Sequence, residues 1–69
     1  EEAERLENEM SSLHEDNLKR QKQISKFLTL MEIEPEYKQK YESRIVVHKK
    51  FMAANNERIE EIKDILLDK

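Results

Sequence analysis

The only proline, Pro35, stands near the middle of a chain of 69 residues that contains no glycine. It lies inside a heptad pattern whose phase runs unbroken from end to end. With Ala3 at position a, the a series continues through Met10, Asn17, Ile24, Met31, Lys38, Ile45, Met52, Ile59 and Leu66. The d series is Leu6, Leu13, Arg20, Phe27, Glu34, Tyr41, His48, Asn55, Ile62 and Lys69. Thirteen of these twenty positions are apolar or tyrosine, and sustained a/d spacing is the mark of helices packed along a seam. No segment alternates apolar and polar residues for long enough to argue a strand. With 42% charged and 6% aromatic residues, composition alone permits long helix or disorder. The apolar spacing selects helix, and the class is all-α.

Heptad phase does not decide between one long helix and two, because it passes straight through Pro35. A parallel pair of continuous helices, kinked at Pro35, would make a spacer rod. Two arguments oppose it. A proline inside a helix removes a hydrogen bond and clashes with the preceding turn, at a cost of ~3 kcal/mol or more, and it drives Glu34 out of helical conformation. A parallel in-register pair would also stack Arg20, Glu34, Lys38 and His48 each on its own copy, where like charges repel.

Folding the chain back at Pro35 removes these layers. In an antiparallel pair each a residue faces a d residue. A register centred on Glu36 sets Leu6 against Leu66, Met10 against Ile62, and Leu13 against Ile59. Asn17 then meets Asn55, Arg20 meets Met52, Ile24 meets His48, Phe27 meets Ile45, and Met31 meets Tyr41. Glu34 faces Lys38 at the bend. A buried Asn layer fixes register at some cost in stability. On the flanks Glu7 lies near Lys63, and Glu9 or Asp16 near Arg58. The expectation is therefore a two-helix antiparallel coiled-coil hairpin, with helix 1 over about 2–33, a turn at 34–36 and helix 2 over about 36–68. Each arm is ~45–50 Å long at 1.5 Å per residue. Pro35 opens helix 2, where its missing N–H is no loss. Glu34 sits at the cap, and Glu36 favours the positive helix end. No Gly or Asn is at hand to close helix 1.

Some apolar residues fall off the seam. They are Leu28, Leu30, Ile33 and Tyr37 near the bend, Val47, Phe51 and Ala54 on helix 2, and Val46 and Ile65 on the flanks. Val47, Phe51 and Ala54 are spaced by four and three and share a face. Leu30, Ile33, Tyr37, Val47, Phe51 and Ala54 form the expected partner or dimer face. It would be covered by a second hairpin, giving a four-helix bundle dimer through the bend half, or by another protein.

Charge is unevenly spread along the chain. Residues 1–16 hold seven acids and one Arg. The bases Lys19, Arg20, Lys22, Lys26, Arg44, Lys49 and Lys50 fall together in the hairpin as a basic belt, a candidate surface for an acidic partner. With no aromatic stacking platform among them, nucleic acid is a poor fit. The histidines His14 and His48 lack the spacing of metal ligands, and the serines lack nucleophile partners. With no cysteine and no glycine, disulfides and phosphate-cradling loops are excluded. No cofactor and no catalysis are expected. Apolar runs such as Ile45-Val46-Val47 are far too short to span a membrane.

The expected function is a non-catalytic coiled-coil oligomerisation or protein-interaction module. Residues 1–69 would form one hairpin, a fragment of a longer intracellular scaffold or assembly protein. The alternatives are a regulatory helical finger docking on a signalling partner such as a small GTPase, and the kinked parallel spacer.

Overall fold

The computed structural model describes residues 1–68. Helix α1 spans Glu2–Ile33, a short 3-10 turn spans Pro35–Tyr37, and helix α2 spans Lys38–Leu67. The two helices lie antiparallel in a body of 52 × 14 × 13 Å. The kinked parallel rod is thereby excluded. The d residue Lys69 lies outside the described residues.

The turn shows how a chain without glycine reverses direction. The Glu34 N–H donates to the Leu30 carbonyl at 2.7 Å, completing the last turn of α1. Glu34 then leaves helical conformation, with φ −126° and ψ 69°, as the following proline requires. The Tyr37 N–H bonds the Glu34 carbonyl at 3.0 Å, which closes the tighter 3-10 turn. No residue among those described has positive φ, so the left-handed closing residue that glycine usually supplies is not used. Helix α2 starts at Lys38, slightly later than the sequence suggests. Tyr37, at φ −105° and ψ 13°, is still outside the α region.

Side chains at the bend also depart from expectation. Glu34 makes no capping bond. Its carboxylate reaches forward instead and accepts a hydrogen bond from Tyr41 Oη at 2.7 Å. That bond, then partial burial and the nearby negative charge, holds the Tyr41 hydroxyl above the usual phenol range. Lys38 pairs with Glu42 at 3.9 Å rather than with Glu34. At the tip no opposing helix confines Lys38, so its ammonium stays in water.

The seam carries the packing. Ile24, Ile45, Ile59 and Ile62 are buried, and Ile62 is 0% exposed. Every described a and d residue except Lys38 is buried or half-buried. Around the middle of the bend half, Phe27 stacks on Tyr41 with centroids 5.8 Å apart and on His48 at 6.1 Å.

Candidate functional site

The sides of the hairpin are defined by what closes over the seam. Outside a and d, the half-buried residues are Glu9, Asp16, Leu30 and Arg58. All four occupy heptad position g. In an antiparallel pair g flanks g, and Arg58 forks onto Glu9 through Nε at 2.7 Å and Nη2 at 3.1 Å. The g residues of both helices, with the c residues outside them, therefore make one long side. The e and b residues make the other, where a shallow groove is lined by Gln21, Leu28, Lys49, Ala53 and Asn56.

Polar seam residues are knitted into one cluster near the middle. Asn55 Nδ2 donates to Asn17 Oδ1 at 2.9 Å and to Asp16 Oδ2 at 2.8 Å. Asn17 Nδ2 in turn donates to Asn56 Oδ1 at 2.9 Å. Arg20 Nε donates to Asp16 Oδ2 at 2.7 Å, and its Nη1 lies 3.1 Å from His48 Nδ1. Arginine only donates, so His48 Nδ1 accepts and the imidazole carries its proton on Nε2. The same guanidinium sits 4.1 Å from the centre of the Phe51 ring, a cation–π contact. Arg20, a cation that the parallel arrangement would set against its own copy, is here fully engaged. Among the described residues no buried side-chain nitrogen or oxygen lacks a partner.

Two carboxylates register these contacts. The Arg58 hydrogen bond outweighs the opposing effect of burial and, with a smaller contribution from the Arg58 charge, holds Glu9 below its ordinary value of 4.5. Hydrogen bonds from Arg20 and then Asn55 hold Asp16 below 3.8. Both groups bind protons more weakly folded than unfolded. Their contribution to stability is complete above the ordinary carboxylate values and is lost as pH falls through the depressed ones. The urea midpoint should drop between pH ~6 and ~3, and Glu9→Gln with Asp16→Asn should flatten that slope. Equal slopes in the two proteins would show that these contacts do not persist in solution.

The structure separates the expected basic belt. Lys19 and Lys26 at c and Arg44 at g lie on the g/c side, and Lys40 joins them. Arg20 is in the seam and shares one depression with Lys19 and Lys22, beside Asp16, Gln23 and His48, while Lys49 at e is on the opposite side and Lys50 at f on the outer back of α2. The expected partner face stays together. Leu30, Tyr37 and Phe51 are at g, and Ile33, Val47 and Ala54 at c, so all six share the side that carries the three belt cations. Tyr37, Val47 and Phe51 are about half exposed and Ile33 is 68% exposed, while Leu30 is half-buried. Tyr37 leans edge-on against Tyr41.

Leu28 and Val46, scattered off-seam residues in the sequence, join Leu18 and Ala53, which sequence reasoning missed, in a second apolar set on the e/b side, with Leu18 65% exposed. Val46 and Ala53 are seven apart, both at b, but neither helix alone shows more than two members of the set on a face. The four come together only when the two helices are paired at a known register, which is the one signal that could have found them.

Among the described residues no cluster of His, Cys, Asp or Glu is placed to hold a metal ion. No described helix is long and apolar enough to cross a membrane. No family model, curated protein or solved structure matches the chain.

Proposed function

We propose that the hairpin is a non-catalytic association module that works by burying its g/c side against further helices. The observation behind this reading is the strip of Leu30, Ile33, Tyr37, Val47, Phe51 and Ala54 on one side of a two-helix body, with its larger members about half exposed. A two-helix layer leaves such a side without a second layer, and helices bury apolar stripes by packing against other helices. A second hairpin would complete a four-helix bundle; a helix of another protein would complete a mixed bundle. Fully burying one large apolar side chain contributes about 1.5–3 kcal/mol, and these are already partly covered. The whole strip is thus worth several kcal/mol against the cost of association, which suits a modest, reversible affinity.

Phe51 is the middle member of the α2 stripe Val47, Phe51 and Ala54 and the largest purely hydrocarbon side chain of the strip. Replacing it with Glu should leave helical content unchanged, since the ring is 51% exposed. It should weaken association by about 2 kcal/mol or more, roughly 30-fold. Sedimentation of the hairpin alone and with added helical partners checks this. Complexes of unchanged mass and affinity in the Phe51→Glu variant would remove the g/c side as the contact surface.

A further inference from the structure

Resting on that reading, we infer that the g/c side is built to receive an acidic amphipathic helix from another chain rather than a second copy of this one. The case is made by charge. From Lys19 to Ala54 the c and g positions hold Lys19, Lys26, Lys40 and Arg44, with Gln23 and the six strip residues, and no acid at all. Lys26, Lys40 and Arg44 have no ion-pair partner among the described residues, and Lys19 has only the weak, exposed contact to Glu15 at 3.7 Å. Two further cations near the strip are already engaged, Arg20 by Asp16 and Arg58 by Glu9 and Glu61, and Arg5 at c lies away at the open end. The strip is therefore an apolar track with an unneutralised basic rim.

A second copy does not fit that rim. A two-fold contact sets the same patch against itself, so pairing strip on strip would bring both sets of bases together with no acid between them. Sliding the copies until the acidic open ends meet the basic bends relieves the charge. It then places Val47 and Leu30 opposite the Arg58 and Glu9 stretch and loses apolar burial. An acidic helix with an apolar stripe meets both demands at once. The strip from Tyr37 to Ala54 is ~25 Å long at 1.5 Å per residue, which matches a helix of about 18 residues. Nucleic acid answers the cations but leaves Leu30, Ile33, Val47 and Ala54 against phosphate. The e/b side serves as the internal contrast. Over the same span it carries Glu32 and Glu42 against Lys49, so it has no such bias.

Two synthetic helical peptides of about 18 residues test the assignment. Both carry Leu at seam positions; one has Glu on its flanks and the other Lys. Titrated into the labelled hairpin at ~50 mM salt, the Glu peptide should bind at least ~10-fold tighter than its Lys twin. Raising salt to ~500 mM should erase most of that difference. Phe51→Glu should weaken binding, and Lys26→Glu with Arg44→Glu, which leaves the rim without net charge, should abolish the preference between peptides. Equal affinity for the two peptides would overturn the inference, as would tighter binding to duplex DNA or anionic lipid vesicles that Phe51→Glu leaves unchanged. A hairpin that dimerises at low salt would also overturn it, while leaving the association reading intact. A hairpin that stays monomeric and binds neither peptide would remove both.

Discussion

Ile62→Ala is expected to cost the hairpin 2–5 kcal/mol, the usual penalty for truncating a buried aliphatic side chain and leaving a cavity. Among the described residues Ile62 alone has no exposed surface, and its neighbour on the seam, Ile59, is 3% exposed. A chain of this size has little stability in reserve, so the loss should largely melt the open half. Far-UV circular dichroism against temperature reads the whole change. Hydrogen exchange should show protection lost first around Leu6, Met10 and Leu66, which pack at the same end of the seam. Ile62→Val provides a graded control, with about 0.5–1.5 kcal/mol expected. Leu67→Ala supplies the baseline, because Leu67 is 83% exposed. If Ile62→Ala melts no earlier than Leu67→Ala, the helices do not pack as described.

The second large effect concerns the asparagine layer and has two signs. Asn55→Leu alone should destabilise by about 1–3 kcal/mol, because it strips a half-buried donor from groups that have little water to replace it. The acceptors left behind are Asn17 Oδ1 and Asp16 Oδ2. Changing Asn17 to Leu as well removes most of the mismatch. The double variant should recover the loss and equal or exceed the parent in stability, as apolar replacements of buried polar pairs often do. It should do so at the expense of uniqueness. With leucine on both sides of that layer, a shift of one heptad no longer strands an amide. Spin labels at Ser11 and Glu60, on opposite helices at nearly the same height, should give one narrow distance in the parent and a broadened or split distribution in the double variant. A stabilised Asn55→Leu single variant would mean that the amide network contributes nothing.

The register was legible because the charged and polar seam residues are informative together. Asn17 and Asn55 could meet only if the chain folded at Pro35, and Asn55 does donate to Asn17. Arg58 against Glu9 was legible for the same reason. The turn was less so. Proline announced a break, but a local hydrogen bond from Tyr41 to Glu34 competes with the ion pair to Lys38, and sequence spacing does not rank those options. Arg20 was visible only as a cation at a d position. Its length lets it leave the seam and reach Asp16, His48 and Phe51 together, which depends on side-chain reach rather than heptad letter. The division of the basic belt followed from the same letters once the g side had been identified by its ion pair. The grouping of Leu18 with Leu28 and Val46 stayed hidden because it is a property of two helices and of neither alone.

The reversal at Pro35 has a mechanical consequence. Glu2, where α1 begins, and Leu67, where α2 stops, sit at the same extremity of a 52 Å axis. Any chain attached at either extremity would enter and leave at one place, so the hairpin adds almost nothing to the contour between its attachments. It behaves as a mast instead of a tether: pulling on its two roots would peel the helices apart layer by layer from Leu6 and Leu66, whereas pushing on the bend loads both helices along their length. The free cations and most of the apolar strip sit toward the tip. A mast of this kind would carry the proposed contact surface clear of any body it were rooted in, and the first layers to meet a peeling load would be the ones anchored by Ile62, Ile59 and the Arg58 fork.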